Sequence, residues 1–227
     1  MYISAIVVAA GKGKRFKGRI SKVILKLNSR PVVAYSLGVL DNHPMINEII
    51  VVGNSGNIED LRAIIRNNKI RKAAKVILGG RERKDSVAQG LKVISPKADF
   101  VLIHDAARPF ITNGLVTLVI NEARKSKAAI VGVPVKSTIK MVKSCNVEKT
   151  IDRNNLWEVQ TPQVFEKNLI IKAYGKFGHQ NVTDDAALVE KSGKKVKMVL
   201  GEHRNIKITS PEDLIIAKGL AKSWKPA

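Results

Sequence analysis

The sequence predicts an α/β fold: a Rossmann-like, mostly parallel sheet with helices on both faces, of the nucleotidyltransferase type, plus a projecting β-arm. Three observations predict it. Apolar runs of strand length recur at 3–9, 49–53, 75–78, 100–103 and 128–133, and segments with helical spacing lie between them. The first run opens into a glycine-bearing, cationic turn, A-A-G-K-G-K-R-F at 9–16. From about Pro134 the strand–helix rhythm gives way to short alternating stretches with no strong helical period.

The bulk numbers bound the reading. A chain of 227 residues that is 44% hydrophobic supports one sizeable core, read as one domain over 1–227. No apolar stretch approaches the roughly 18 residues of a membrane span. The chain enters a strand almost at once, without a basic leader. Cys145 is the single cysteine, which excludes an internal disulfide framework and fits a reducing cytoplasm. Lys+Arg number 40 against 19 Asp+Glu, a net charge of +21. That excess suits a polyanionic partner or a lysine-rich solvated surface. The cations are scattered and aromatics make up only 4%, whereas a platform for single-stranded nucleic acid interleaves the two. A phosphorylated small molecule is therefore the favoured partner over nucleic acid.

The opening turn follows the first strand. Its glycines let backbone approach closely, and bare N–H groups and cations meet an anion. Two common phosphate loops do not fit. A Walker loop needs Ser or Thr after its lysine, but Arg15 follows Lys14, and Val8 stands where the first glycine belongs. The dinucleotide fingerprint needs glycine at 16, which is Phe16. What remains is a loop with Lys12, Lys14, Arg15, Lys17, Arg19 and Lys22. Nucleotidyl transfer proceeds by attack at an α-phosphorus with departure of pyrophosphate, and fixed cations such as Arg15 and Lys22 can stabilise the charge that builds. Taken singly, each could equally be a solvated surface cation.

The next elements are helices at 31–40, opening on a proline, at 58–67, at 86–94, and at 113–125 behind a Thr112 cap. Ligands of such sheets bind beyond the carboxyl ends of the strands. The opening turn, the Gly79 turn and the 104–109 turn should therefore converge on one crevice. Asp105 ends the run V-L-I-H-D, where an acid can meet Mg²⁺ on phosphates, meet a substrate hydroxyl, or cap the turn. His104 is expected to pack or hydrogen-bond locally. Residues 134–155 read as a β-hairpin arm whose apolar side chains need cover, from a second subunit or from their own domain. Beyond the arm, helices are expected at 166–177 and 184–191 and strands at 195–200 and 205–208. A last helix starts at Ser210-Pro211-Glu212-Asp213. Lys207 should point away from its isoleucine neighbours.

Several stretches occur together and in order: G-G-R-E-R-K-D-S-V at 79–87, H-D-A-A-R-P-F at 104–110, D-R-N at 152–154, L-W-E-V-Q-T-P-Q-V-F at 156–165, T-D-D-A-A-L-V-E at 183–190 and G-E-H-R-N-I-K-I-T-S-P-E-D-L at 201–214. With the opening turn they closely resemble the 2-C-methyl-D-erythritol 4-phosphate cytidylyltransferase family, over nearly the whole chain. The ribitol-5-phosphate cytidylyltransferases share much of this framework, but alanine before Arg108 and L-W before Q-T-P-Q resemble the methylerythritol enzymes more. A basic RNA-binding module is the reading from another class. The resemblance implies CTP and 2-C-methyl-D-erythritol 4-phosphate as substrates, Mg²⁺ or another divalent cation with Asp105 as its protein ligand, and a cytoplasmic homodimer built through the arm. It implies that Ala9, Ala10, Gly11, Gly80, Arg83 and Ser86 hold the nucleotide, and that Arg15 and Lys22 stabilise the transition state. Thr138, Arg153, Thr161 and Lys207 would hold the acceptor, with Asp105 and Arg108 beside them, and Arg153 would reach a partner's site. For Gly79-Gly80 and Ser86 a plain turn and an N-cap are the competing roles. One departure stands out: the family usually has proline before the loop lysine, and this chain has Ser21.

Overall fold

The computed structural model describes residues 1–11 and 21–224. The first apolar run forms β1 (Ile3–Val8). Two short strands, β2 (Lys26–Leu27) and β3 (Arg30–Pro31), pair antiparallel and lead into α1 (Val32–Asn42). Then come β4 (Glu48–Gly53), α2 (Ile58–Asn67), β5 (Ala73–Leu78), α3 (Arg83–Leu91), β6 (Phe100–Asp105), α4 (Asn113–Ser126) and β7 (Ala128–Pro134). A hairpin of β8 (Ile139–Lys143) and β9 (Asn146–Ile151) forms the arm as a separate two-stranded sheet. The chain closes with β10 (Trp157–Glu166), α5 (Lys167–Phe177), α6 (Ala186–Lys191), β11 (Lys197–Leu200) and α7 (Pro211–Ser223).

The main sheet has seven strands in the order β11-β7-β10-β6-β1-β4-β5. Its pairings are parallel except those of β10, which runs antiparallel between β6 and β7. Alternation along β1 and β4 sorts the core. Ile3, Ala5, Val7, Ile49 and Val51 face α1, α2 and α4 in one apolar cluster. Ile6, Ile50 and Val52 face α3, α5 and α6 in another. Both faces are thus covered by helices, which is why the central strands are apolar throughout rather than alternating. The strand order reverses at β1, between β4 on one side and β6 on the other, and a crevice opens beyond the carboxyl ends at such a reversal.

Several expectations shift. The third helix starts at Arg83 rather than Ser86, because Glu82 and Asp85 form a capping box. Ser86 therefore lies inside the helix and is not its N-cap. Residues 205–208 are not a strand; among the described residues they make one backbone–backbone bond to the core, Ile208 N–H to the Ala107 carbonyl at 2.9 Å. The alternation still holds there, since Ile208 is fully buried and Lys207 turns the other way. β10 was not anticipated. It holds a proline, its register shifts between Gln160 and Gln163, and the Thr161–Pro162 peptide is cis. The Thr112 cap and the Ser210–Asp213 capping box form as expected.

Candidate active site

The turns after β1, β5 and β6 do converge. A cleft of about 290 Å³ is lined by Ala10, Gly11, Lys22, Gly80, Arg83, Ser86, Asp105 and Lys207, among others. A second cavity of about 420 Å³ lies against it and is lined by Arg108, Thr161, Gln163, Asp184 and Met198. Arg83, Asp105 and Lys207 belong to both, so they form the wall where two ligands would meet.

The cleft's floor is shaped by small residues. A Cβ on Gly80 would sit 3.2 Å from the Asp85 carbonyl carbon and closer still to its side chain, so glycine lets the turn close onto α3. Gly11 is different: among the described residues a Cβ there meets nothing within 4 Å. Ser86 Oγ accepts from Gly80 N–H at 3.2 Å and donates to the Glu82 carbonyl at 3.0 Å, tying the turn to the helix. Ala9 is buried beneath the cleft, with its carbonyl held by Asn57 Nδ2 at 2.9 Å. The same nitrogen reaches Ser21 Oγ at 3.1 Å, and Asn54 Nδ2 holds the Ala10 carbonyl at 2.9 Å. One buried amide thus links both flanks of the loop.

The wall is a chain of charges. Lys207 Nζ donates to Asp105 Oδ2 at 2.6 Å, and Arg83 Nε donates to Asp105 Oδ1 at 2.8 Å. Arg83 Nη1 also lies 2.8 Å from Asp185 Oδ2, and Tyr174 Oη donates to Asp185 Oδ1 at 2.5 Å. Burial pushes the Asp105 carboxyl up, but Arg83 and Lys207 outweigh it and hold it well below the usual carboxylate range. At Asp185 burial wins over Arg83 and Tyr174, and its carboxyl is raised. For Arg83 itself, burial is outweighed by the two aspartates, which secure its charge.

Behind Asp105 runs a neutral network. The Arg108 carbonyl can only accept, so His104 Nε2 carries the proton and donates to it at 3.0 Å. Nδ1 is then the acceptor for the Thr161 hydroxyl at 3.0 Å, and Thr161 Oγ1 accepts from Asp105 N–H at 3.0 Å. Complete burial pushes His104 down to about 4. His104 thus packs and hydrogen-bonds locally. Arg108 spends its guanidinium on protein carbonyls, Nη1 to Asn205 at 2.7 Å and Nη2 to Val159 at 3.2 Å. It braces β10 against the 205–209 segment while its side chain borders the second cavity.

Thr138 and Arg153 are not in this crevice. Both are exposed at the root of the arm, where Arg153 Nη1 donates to the Lys136 carbonyl. Arg15 lies outside the described residues. Sequence reasoning gave no role to Asp185 or Tyr174. The pair Asp184-Asp185 reads as a helix start, and Asp184 does accept from Ala187 N–H at 3.1 Å. Only the fold shows that the second aspartate turns inward to Arg83.

Among the described residues no three His, Cys, Asp or Glu side chains come together as metal ligands. A cation shared with phosphates needs only one or two carboxylates. Asp105 is a carboxylate of that cleft, and Arg83 and Lys207 engage its two oxygens, so a divalent cation there would displace one of them.

Comparison with known proteins shows which family shares this sequence and fold. The family model for 2-C-methyl-D-erythritol 4-phosphate cytidylyltransferase matches residues 3–223. A protein of that name from Alkaliphilus metalliredigens is 45% identical, covering 98% of this chain and 94% of its own length. One from Clostridioides difficile is 44% identical with the same coverage. Among solved structures, the 4-diphosphocytidyl-2C-methyl-D-erythritol synthase of Anaerococcus prevotii superposes with a TM-score of 0.84 at 34% identity, covering 97% of this chain and 98% of that one. The Thermus thermophilus 2-C-methyl-D-erythritol 4-phosphate cytidylyltransferase gives 0.81 at 31%, covering 98% and 100%.

Proposed function

The chain belongs to the 2-C-methyl-D-erythritol 4-phosphate cytidylyltransferase family, and we propose that it transfers the cytidylyl group of CTP to 2-C-methyl-D-erythritol 4-phosphate. The products are 4-diphosphocytidyl-2-C-methyl-D-erythritol and pyrophosphate, a step of isoprenoid precursor biosynthesis. The observation that carries this reading is the shared wall of Arg83, Asp105 and Lys207 between two cavities at the reversal of strand order. A two-substrate displacement needs two pockets that meet at one point.

The nucleotide occupies the cleft, with its phosphates against Ala10 and Gly11 and its base near Gly80 and Ser86. The acceptor occupies the second cavity beside Thr161, with its phosphate at Lys207. An acceptor phosphate oxygen, ionised near neutrality, attacks the α-phosphorus. The new P–O bond forms as the bond to the β-phosphate breaks, and pyrophosphate leaves. No general base is required. Lys22 and Arg15 stabilise the charge on the transferring and leaving oxygens. Asp105 would hold a divalent cation, Mg²⁺ in this reading, which neutralises phosphate charge when bound.

Thr138 and Arg153 complete the acceptor site of a second copy of the chain, joined through the arm. None of the described helices is long and apolar enough to cross a membrane, and Cys145 is free and exposed, which suits a reducing cytoplasm. The test is pyrophosphate release with CTP, ATP, GTP and UTP against methylerythritol and ribitol phosphates, with and without Mg²⁺. Turnover should need CTP, the methylerythritol phosphate and the metal. A preference for ribitol 5-phosphate would overturn the assignment.

A further inference from the structure

Asp185 is the buried carboxylate that this chemistry leaves without a task. It is 1% exposed, it does not cap the helix it precedes, and it lines neither cavity. A buried ion pair contributes little net stability against an apolar replacement of the same shape, because desolvating both charges offsets their attraction. Another reason for an acid here lies in how it divides Arg83. A guanidinium prefers to grip one carboxylate with two parallel N–H bonds. Arg83 does not. Its Nε hydrogen-bonds Asp105 Oδ1 at 2.8 Å, while its Nη1 makes an ion pair with Asp185 Oδ2 at 2.8 Å without hydrogen-bond geometry. That split leaves Asp105 Oδ2 to Lys207, at 2.6 Å. Tyr174 occupies the other Asp185 oxygen at 2.5 Å, so Asp185 in turn cannot fork Arg83 and draw it off Asp105.

We propose that Asp185, backed by Tyr174, is a positioning residue that divides Arg83 between two carboxylates and thereby keeps Lys207 seated on Asp105. Neutralising Asp185 lets Arg83 close bidentately on Asp105 and displaces Lys207. The acceptor side, which loses Lys207, then suffers more than the CTP side, which Arg83 also borders. The kinetic part rests on the function proposed above; the geometric part does not.

Two readouts test it. The first is the labelling rate of the Lys207 amine by an acylating reagent, followed by mass spectrometry in the protein without substrates. Asp185→Asn should speed it by about tenfold, the scale expected when a supporting partner is lost. Asp185→Glu, which keeps the charge, should stay near the native rate. The second readout is steady-state kinetics. Asp185→Asn should raise the acceptor KM by roughly tenfold and the CTP KM by clearly less, about threefold at most. Combined with Lys207→Ala it should add nothing to the acceptor KM of Lys207→Ala alone. Unchanged Lys207 labelling in folded Asp185→Asn, equal shifts in both KM values, or multiplying losses in the double variant would overturn the proposal. Tyr174→Phe serves if Asp185→Asn does not fold. It frees Asp185 to fork Arg83, so Lys207 should label about twofold more slowly; an equal or faster rate overturns the proposal. If the native chain fails to turn over the acceptor, the function fails, and Lys207 labelling still judges the positioning.

Discussion

Two side chains show how chemistry and stability separate. Lys22 borders the cleft just after the loop and is assigned to the transition state, where charge on the leaving oxygens exceeds that of bound CTP. Lys22→Ala should therefore lower kcat by about 100-fold while the CTP KM moves by less than about threefold. Steady-state kinetics decide: equal losses in both would remove the transition-state role. His43 bears only on folding. Its Nδ1 accepts from Met45 N–H at 3.3 Å, so Nε2 donates to Thr117 Oγ1 at 2.9 Å, and burial lowers its pKa below the ordinary 6.5. The native state thus holds His43 neutral where the unfolded chain takes up a proton. Its contribution is present above pH 6.5 and is lost as pH falls toward the lowered native value, with a slope of at most about 1.4 kcal/mol per pH unit. Denaturant melts from pH 7.5 to 5 should show stability falling on acidification, less steeply in His43→Gln. An unchanged slope in that variant would reject the assignment.

Strands and helices with a strong apolar period were readable from the sequence, and the exceptions have local causes. β10 is the strand that spans the site from Trp157 to Glu166, yet Pro162 and the irregular pairing at Gln160/Gln163 interrupt the alternation that marks a strand. Residues 205–208 alternate like a strand, but side chains hold them instead of a ladder. Asn205 Nδ2 donates to Gln160 Oε1 at 3.1 Å and to the Thr161 carbonyl at 2.9 Å, and Asp213 accepts from Thr209 N–H at 2.7 Å. The Asn205 partners lie 44 and 45 residues away in sequence and are invisible to periodicity. The start of α3 was missed because glutamate is a rare cap residue, and Ser86 offered a commoner one. The arm's existence was readable; its turn was not. Ser144 and Cys145 both have positive φ, 48° and 63°, the pattern of a two-residue type I′ turn, and neither is a glycine or asparagine. Cys145→Gly should relieve about 1 kcal/mol of that strain. Thermal melts should show a small rise in Tm with activity unchanged, and a fall in Tm would show that the left-handed geometry costs nothing there.

At the scale of the molecule, the converging turns were foreseeable from where strands end; the separation of Arg153 from them was implied by the family resemblance, and that of Thr138 was not. Asp105, Thr161 and Lys207 come together although they are far apart in the chain, because β10 pairs with β6 in the middle of the sheet and the segment before α7 packs beside them. Thr138 and Arg153 stay outside, exposed at the arm's root. The arm itself presents Met141, Val142 and Val147 at 44%, 54% and 61% exposure, an apolar surface on an isolated two-stranded sheet that its own core leaves uncovered. A second copy of the chain would cover it and bring Arg153 to the other copy's cavity. Subunit mixing tests this. Lys22→Ala and Arg153→Ala should each be nearly inactive alone. Mixed under conditions of subunit exchange, half the dimers become heterodimers, and each of these holds one site with both defects and one with neither. Activity should therefore recover to about a quarter of the native level. Recovery to that level supports a site built from two chains. No recovery, with exchange verified by mass spectrometry, would place Arg153 in the same chain's site or outside the reaction altogether.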